Sequence, residues 1–276
     1  MRRASPALFA LVVIAGCSVS GGGAAATAGG SAPPGATVTV VTVFDGDSML
    51  VDTGTGEREV RLAGVNAPEQ DECSGAEAHR WMTDAAGDEV TLVPVGNESD
   101  TDDFDRLLRD VWVGTRWLNL EAVADGHAMV IHTGRDGQDD LLAAGDTAWE
   151  GRLGMWGASV CGPAPDGVEI SDLVADPEGP DDRSPAGEYV TVENRGDGTV
   201  PIGGWVVRDE STANRYEFRE DEVLEPGTTI TVFSGCGDEA PDERFWCAQS
   251  PVWSNGGDTA LLLTAEGTVV DRLVYP

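Results

Sequence analysis

The sequence predicts two β-rich domains: a five-stranded barrel carrying helices, then an antiparallel β-sandwich. Runs of β-branched and alternating apolar residues recur through both halves, while helix-spaced apolar residues occur in the first half only. The breaker cluster Gly162-Pro163-Ala164-Pro165-Asp166-Gly167 divides the halves. With 276 residues and 41% hydrophobic content, each half can bury a core.

Residues 37–43 (TVTVVTV) and 49–52 flank the turn Asp45-Gly46-Asp47-Ser48, the pattern of a hairpin. Residues 59–65 (EVRLAGV) return as a third strand, with Val60, Leu62 and Gly64 on one face and Arg61 on the other. A helix is expected over 74–86, with Ser74 as its cap and Gly87 as its stop. Residues 89–95 and 107–113 complete five strands, and 117–128 and 138–156 have helical spacing. Such a sheet with inserted and appended helices fits an oligonucleotide-binding (OB) barrel. Beyond residue 167, short alternating strands at 189–193, 204–208, 228–233 and 260–263 are separated by turns such as Glu225-Pro226-Gly227, which indicates the sandwich.

The N-terminus reads as an export signal over residues 1–16: Arg2 and Arg3, then the apolar run 7–15, too short to span a bilayer. The sequence Ile14-Ala15-Gly16-Cys17 resembles a lipobox, which implies cleavage before Cys17 and a lipid on its sulfur, anchoring the protein to a membrane. Residues 17–36 continue with small residues and Pro, a flexible tether. The domains are then expected at 37–162 and 163–276.

Export places Cys73, Cys161, Cys236 and Cys247 in an oxidising compartment, where disulfides form. Three pairings are possible; Cys236 with Cys247 closes a short loop, and Cys73 with Cys161 ties the start of the first domain to its end. No Cys-x-x-Cys spacing or adjacent His supports zinc.

The formal charge of −32 comes from 49 acidic residues against 17 basic ones, all of them Arg. A high-salt habitat or a GC-rich genome each favours part of this composition; both argue against a long, sequence-independent grip on a phosphate backbone, which needs a basic surface. Any polyanion must be held locally.

Residues 40–69 concentrate the groups that hydrolysis of a phosphodiester requires: hard oxygen ligands for a divalent ion, cationic donors for charge at phosphorus, and a base for water. The motifs Asp45-Gly46-Asp47-Ser48, Val60-Arg61-Leu62, Asn66-Ala67-Pro68-Glu69, Asp102-Asp103-Phe104-Asp105-Arg106 and Leu118-Asn119-Leu120-Glu121 resemble, in order, a staphylococcal-type thermonuclease. The resemblance implies Ca2+ held by Asp47, Asn66 and the backbone carbonyl of Ala67, with Arg61, Glu69 and Arg106 as catalytic residues. It implies hydrolysis of single-stranded DNA or RNA that leaves 3′-phosphate ends.

Three positions depart from the family pattern. Asn66 stands where an aspartate is usual, removing one ligand charge. Asp105 stands where glycine is common, placing a carboxylate beside Arg106. His132 falls near a substrate-stacking tyrosine, and stacking on a base is its expected role. The alternative reading is a noncatalytic surface-binding protein whose barrel has lost its metal.

In the second half, Glu188-Tyr189-Val190-Thr191-Val192-Glu193-Asn194, Gly203-Gly204-Trp205, Leu224-Glu225-Pro226-Gly227 and Val252-Trp253-Ser254-Asn255-Gly256-Gly257-Asp258 recur in the order of lamin-tail domains. That resemblance implies an immunoglobulin-like sandwich with Trp205 and Trp253 in its core. No catalytic constellation is visible there, so an accessory role with an unassigned ligand is expected, in a protein that is a monomer.

Overall fold

The computed structural model describes residues 34–96, 98–177 and 187–275. Cys17, the signal segment and most of the tether lie outside them.

The barrel is built from β1 (Ala36–Val43), β2 (Ser48–Asp52), β3 (Glu57–Leu62), β5 (Glu89–Pro94) and β6 (Leu107–Val113), and the short β4 (Val65–Asn66) leaves it after β3. The order β3-β2-β1-β5-β6 is closed by a parallel β3–β6 pairing, Arg61 opposite Leu108. Closure follows from alternation: Met49, Val51 and Val60 are fully buried inside, and the residues between them face outward. α1 (Gly75–Ala86) covers one end with Ala78 and Met82. β7 (Arg116–Trp117) leads into α2 (Leu118–Ala124); β8 (Met129–Val130) then pairs with β4, and α3 (Gln138–Glu150) adds Leu141 to the same core. Each buried Val, Leu or Met of this core stabilises the fold by about 1.5–3 kcal/mol.

Two expected helices end early, for a shared reason. α2 stops at Ala124 and α3 at Glu150, because the following turns bring Gly126 and Gly154 together in left-handed conformation. Met155 N donates to Gly126 O at 2.9 Å, and a Cβ on Gly126 would stand 2.3 Å from Leu153 O. Ser74 is left-handed (φ 70°) and makes no side-chain cap to α1; its hydroxyl lies 3.4 Å from Cys161 Sγ instead. α4 (Ala158–Cys161) brings that cysteine to Cys73, and the two form a disulfide.

The second domain packs two four-stranded sheets face to face. One has the order β16 (Glu243–Phe245), β15 (Thr229–Phe233), β10 (Tyr189–Asn194), β9 (Val168–Val174). The other runs β13 (Arg215–Glu217), β12 (Val206–Arg208), β17 (Asp258–Leu263), β18 (Val269–Tyr275). A pair made of β11 (Val200–Pro201) and β14 (Val223–Leu224) stands beside them. Val190, Val192, Ile230 and Val232 meet Val207, Ala260 and Leu262 across the core, with Trp205 and Trp253 buried among them. One strand departs from the antiparallel expectation: β16 runs parallel to β15, in the loop closed by the Cys236–Cys247 disulfide. The Ig-like sandwich and the OB-type barrel both stand.

The domains share a core of their own. Met129, Ala148, Met155 and Trp156 of the first cluster with Leu261 and Val269 of the second. Arg272 reaches back to pair with Asp146 and lies over the Trp149 and Trp156 rings at 5.4 and 5.5 Å. Thr268 Oγ1 donates to Cys161 O at 2.7 Å.

Candidate active site

A cleft of about 540 Å³ gathers Asp45, Asp47, Arg61, Asn66, Glu69 and Arg106. The turn before β2 builds its floor. Asp45 accepts from Asp47 N at 2.9 Å and from Ser48 Oγ at 2.6 Å, so the first aspartate orients the second. Asp47 is buried, and its Oδ2 receives Arg61 Nη1 at 2.9 Å and Ala67 N at 2.5 Å. Burial pushes the Asp47 carboxyl up to about 7; Arg61 opposes that and Asp45 adds to it.

Arg61 projects from β3 and is held at several points. Besides Asp47, it donates to Val65 O at 2.7 Å and to Asn66 Oδ1 at 2.8 Å. Asn66 is committed on both sides of its amide, because its Nδ2 donates to the carbonyl of Glu210, in the second domain, at 3.1 Å. Its oxygen therefore faces a guanidinium.

Glu69 follows Pro68 at the exposed rim, and its carboxyl is held above the ordinary range by partial burial, then by Asp45 and Glu72. Arg106, immediately before β6, donates from Nε to Asp102 Oδ2 at 2.7 Å and stands 5.4 Å from the Phe104 ring centre. Burial pulls Asp102 up, but hydrogen bonds from Arg106 and the Phe104 amide outweigh it and the carboxyl ends below its ordinary value.

The carboxylate beside Arg106 is therefore Asp102. Asp105, expected there, is turned to Arg58 at 3.7 Å and is almost wholly exposed. Its backbone is left-handed at φ 63°, which accounts for glycine being common at that position. His132 is also placed otherwise than expected. Its side chain is 3% exposed, with Nδ1 2.7 Å from Glu210 Oε2, so it presents no face to a base.

The cleft has members the sequence reading passed over. Phe104, 80% exposed, offers the rim an aromatic face, and Ser211, Thr212 and Ala213 form a wall from the second domain. Phe104 sits inside a motif already singled out, so its exposure was the missing datum. The wall had no local signal at all.

The donors at the floor suit a hard cation. Asp47 and Asp45 bring two carboxylates together with Arg61 as the positive group against Asp47, and both are oxygen donors. Asn66 is not in that set here, its oxygen being given to Arg61. Among the described residues no group of three or more His, Cys, Asp or Glu is arranged to hold a metal, so an ion at this floor would keep several waters.

Residues 59–158 match the family model described as "Staphylococcal nuclease homologue", and residues 162–276 match "Lamin Tail Domain". The first match takes in Arg61, Asn66, Ala67, Glu69 and Arg106, and begins after Asp47. Lamin Dm0 of Drosophila melanogaster is 30% identical over 97 residues, 32% of this chain. The chain spans 15% of that relative's length.

Proposed function

We propose, for a chain made of an SNase-like domain followed by a lamin tail domain, a calcium-dependent nuclease that hydrolyses single-stranded DNA or RNA and leaves 3′-phosphate ends. One observation carries the reading: Arg106 joins Arg61 and Glu69, which precede it by 45 and 37 residues, in one cleft above a buried, carboxylate-bearing floor. Glu69 takes the proton from the attacking water, and its raised carboxyl makes it a stronger base than an ordinary glutamate. Arg61 and Arg106 hold the phosphate, each guanidinium offering paired N–H donors to the oxygens that gain charge. Asp47 and the Ala67 carbonyl would hold the calcium ion, which when bound polarises a nonbridging oxygen. We propose further that the protein is exported and anchored through lipid on Cys17.

The test is cleavage of a single-stranded oligonucleotide with calcium or chelator, at low and multimolar salt, by the wild type and by Glu69→Gln. Calcium-dependent cleavage by the wild type, lost in the variant, is expected. Equal cleavage by both refutes the assignment of Glu69. The engagement of Asn66 Oδ1 by Arg61 favours a second reading, a phosphate-binding cleft that does not cleave. Oligonucleotide binding without cleavage at any salt would select it.

A further inference from the structure

The wall contributed by the second domain is fixed to the cleft through a short chain of specific bonds. It comes from residues 209–214, between β12 and β13. The segment is internally ordered: Asp209 accepts from Ser211 N at 2.8 Å, Ser211 Oγ at 2.7 Å and Asn214 Nδ2 at 2.7 Å. Glu210 anchors it to the first domain, both carboxylate oxygens being used: His132 N donates to Oε1 at 2.6 Å and His132 Nδ1 meets Oε2 at 2.7 Å. Glu210 and the His132 side chain are both buried.

That anchor places the Glu210 carbonyl against Asn66 Nδ2, and Asn66 Oδ1 in turn receives Arg61 Nη2. Only a side chain with a donor at one end and an acceptor at the other bridges a carbonyl and a guanidinium. Asparagine does; aspartate, with two acceptors, sets a carboxylate oxygen against the Glu210 carbonyl. The unusual residue at position 66 is thus what the docked second domain requires.

We propose that the lamin tail domain is a working part of the nuclease site: Glu210 is a positioning residue that holds Arg61 through Asn66. The inference rests on the nuclease reading of the cleft. It gives the second domain a task in the reaction, since Arg61 must meet the phosphate with its donors already aligned. It also reverses the natural expectation for Asn66→Asp. As a metal-ligand repair, that change raises activity; as the loss of an interdomain donor, it lowers it.

The experiment measures kcat and KM for oligonucleotide cleavage by full-length wild type, Glu210→Ala, Asn66→Asp and the double variant, with unfolding midpoints recorded for each. Because a misplacement near 1 Å costs up to about a hundredfold, each single change is expected to lower kcat tenfold to a hundredfold with KM within about threefold. The double variant is expected to be no worse than the poorer single one, because both break one chain. Glu210→Gln keeps an acceptor oxygen for His132 N and is expected to recover most of the rate. Should Glu210→Ala not fold, Asn66→Ala breaks the same chain from the nuclease side. Additive losses, a KM effect alone, or a gain in kcat from Asn66→Asp overturns the inference while leaving the nuclease intact. A wild type that does not cleave overturns the nuclease reading and this inference together.

Discussion

The Asp258→Asn substitution tests how charge is carried at the junction of the two domains. Asp258 is buried at the head of β17, where Oδ1 accepts from Thr259 N at 2.7 Å and Oδ2 from Ser254 N at 3.1 Å. Burial raises its carboxyl from 3.8 to about 7, and the neighbouring Glu210 adds to the rise. The folded state therefore binds a proton that the unfolded state has released, and stability falls as pH climbs from about 4 to about 7. A rise near three units corresponds to at most about 4 kcal/mol, most of it from burial of the Asp258 carboxyl. Asparagine removes that penalty but turns an N–H toward Ser254 N, losing a hydrogen bond of about 1 kcal/mol. The variant is then more stable than the wild type by up to about 3 kcal/mol at pH 8, and that advantage falls to about zero near pH 4.5. Reversible urea unfolding of both proteins, followed by tryptophan fluorescence across that range, measures the difference directly. Two curves that stay parallel across that range would refute the reasoning.

Two further outcomes follow from buried charge. Arg109, Arg135 and Arg244 are buried and each meets a carboxylate, whereas among the described residues none lies within ion-pair distance of the equally buried Arg208, whose Nε lacks a hydrogen-bond partner. Arg208→Met is expected to stabilise the protein by about 1–3 kcal/mol in urea unfolding, net of the bond from Nη1 to Ser211 O; a lowered midpoint refutes it. Calcium is expected to raise the thermal midpoint more at pH 8 than at pH 5.5, because protons compete for Asp47 below about 7. Equal stabilisation at both pH values, or persistence of the difference in Asp47→Ala, counts against the floor as the calcium site.

Local signals carried most of the fold. Alternation located the five barrel strands, because Met49, Val51 and Val60 must face one core. What local pattern could not show was where the chain meets itself at a distance: α2 and α3 stop because Gly126 and Gly154 touch. The site divides the same way. Arg61, Glu69 and Arg106 were legible as members of ordered motifs, and they share a cleft. Asn66 and His132 were legible as unusual residues but not for what they do, since both face Glu210, 144 and 78 residues away. Nothing near Glu210 in sequence marks it.

The Cys73–Cys161 disulfide spans 88 residues, and Arg106 lies within that span, whereas Arg61 and Glu69 precede it. A protease cutting the backbone between Glu69 and Arg106, anywhere past Cys73, would separate the proposed base from its second arginine in sequence only. The fragment ending at the cut remains bonded through Cys73 to the fragment that continues past Cys161 into the sandwich. A nicked molecule of this protein keeps its mass until it meets a reductant, and both sides of its cleft stay on one covalent body.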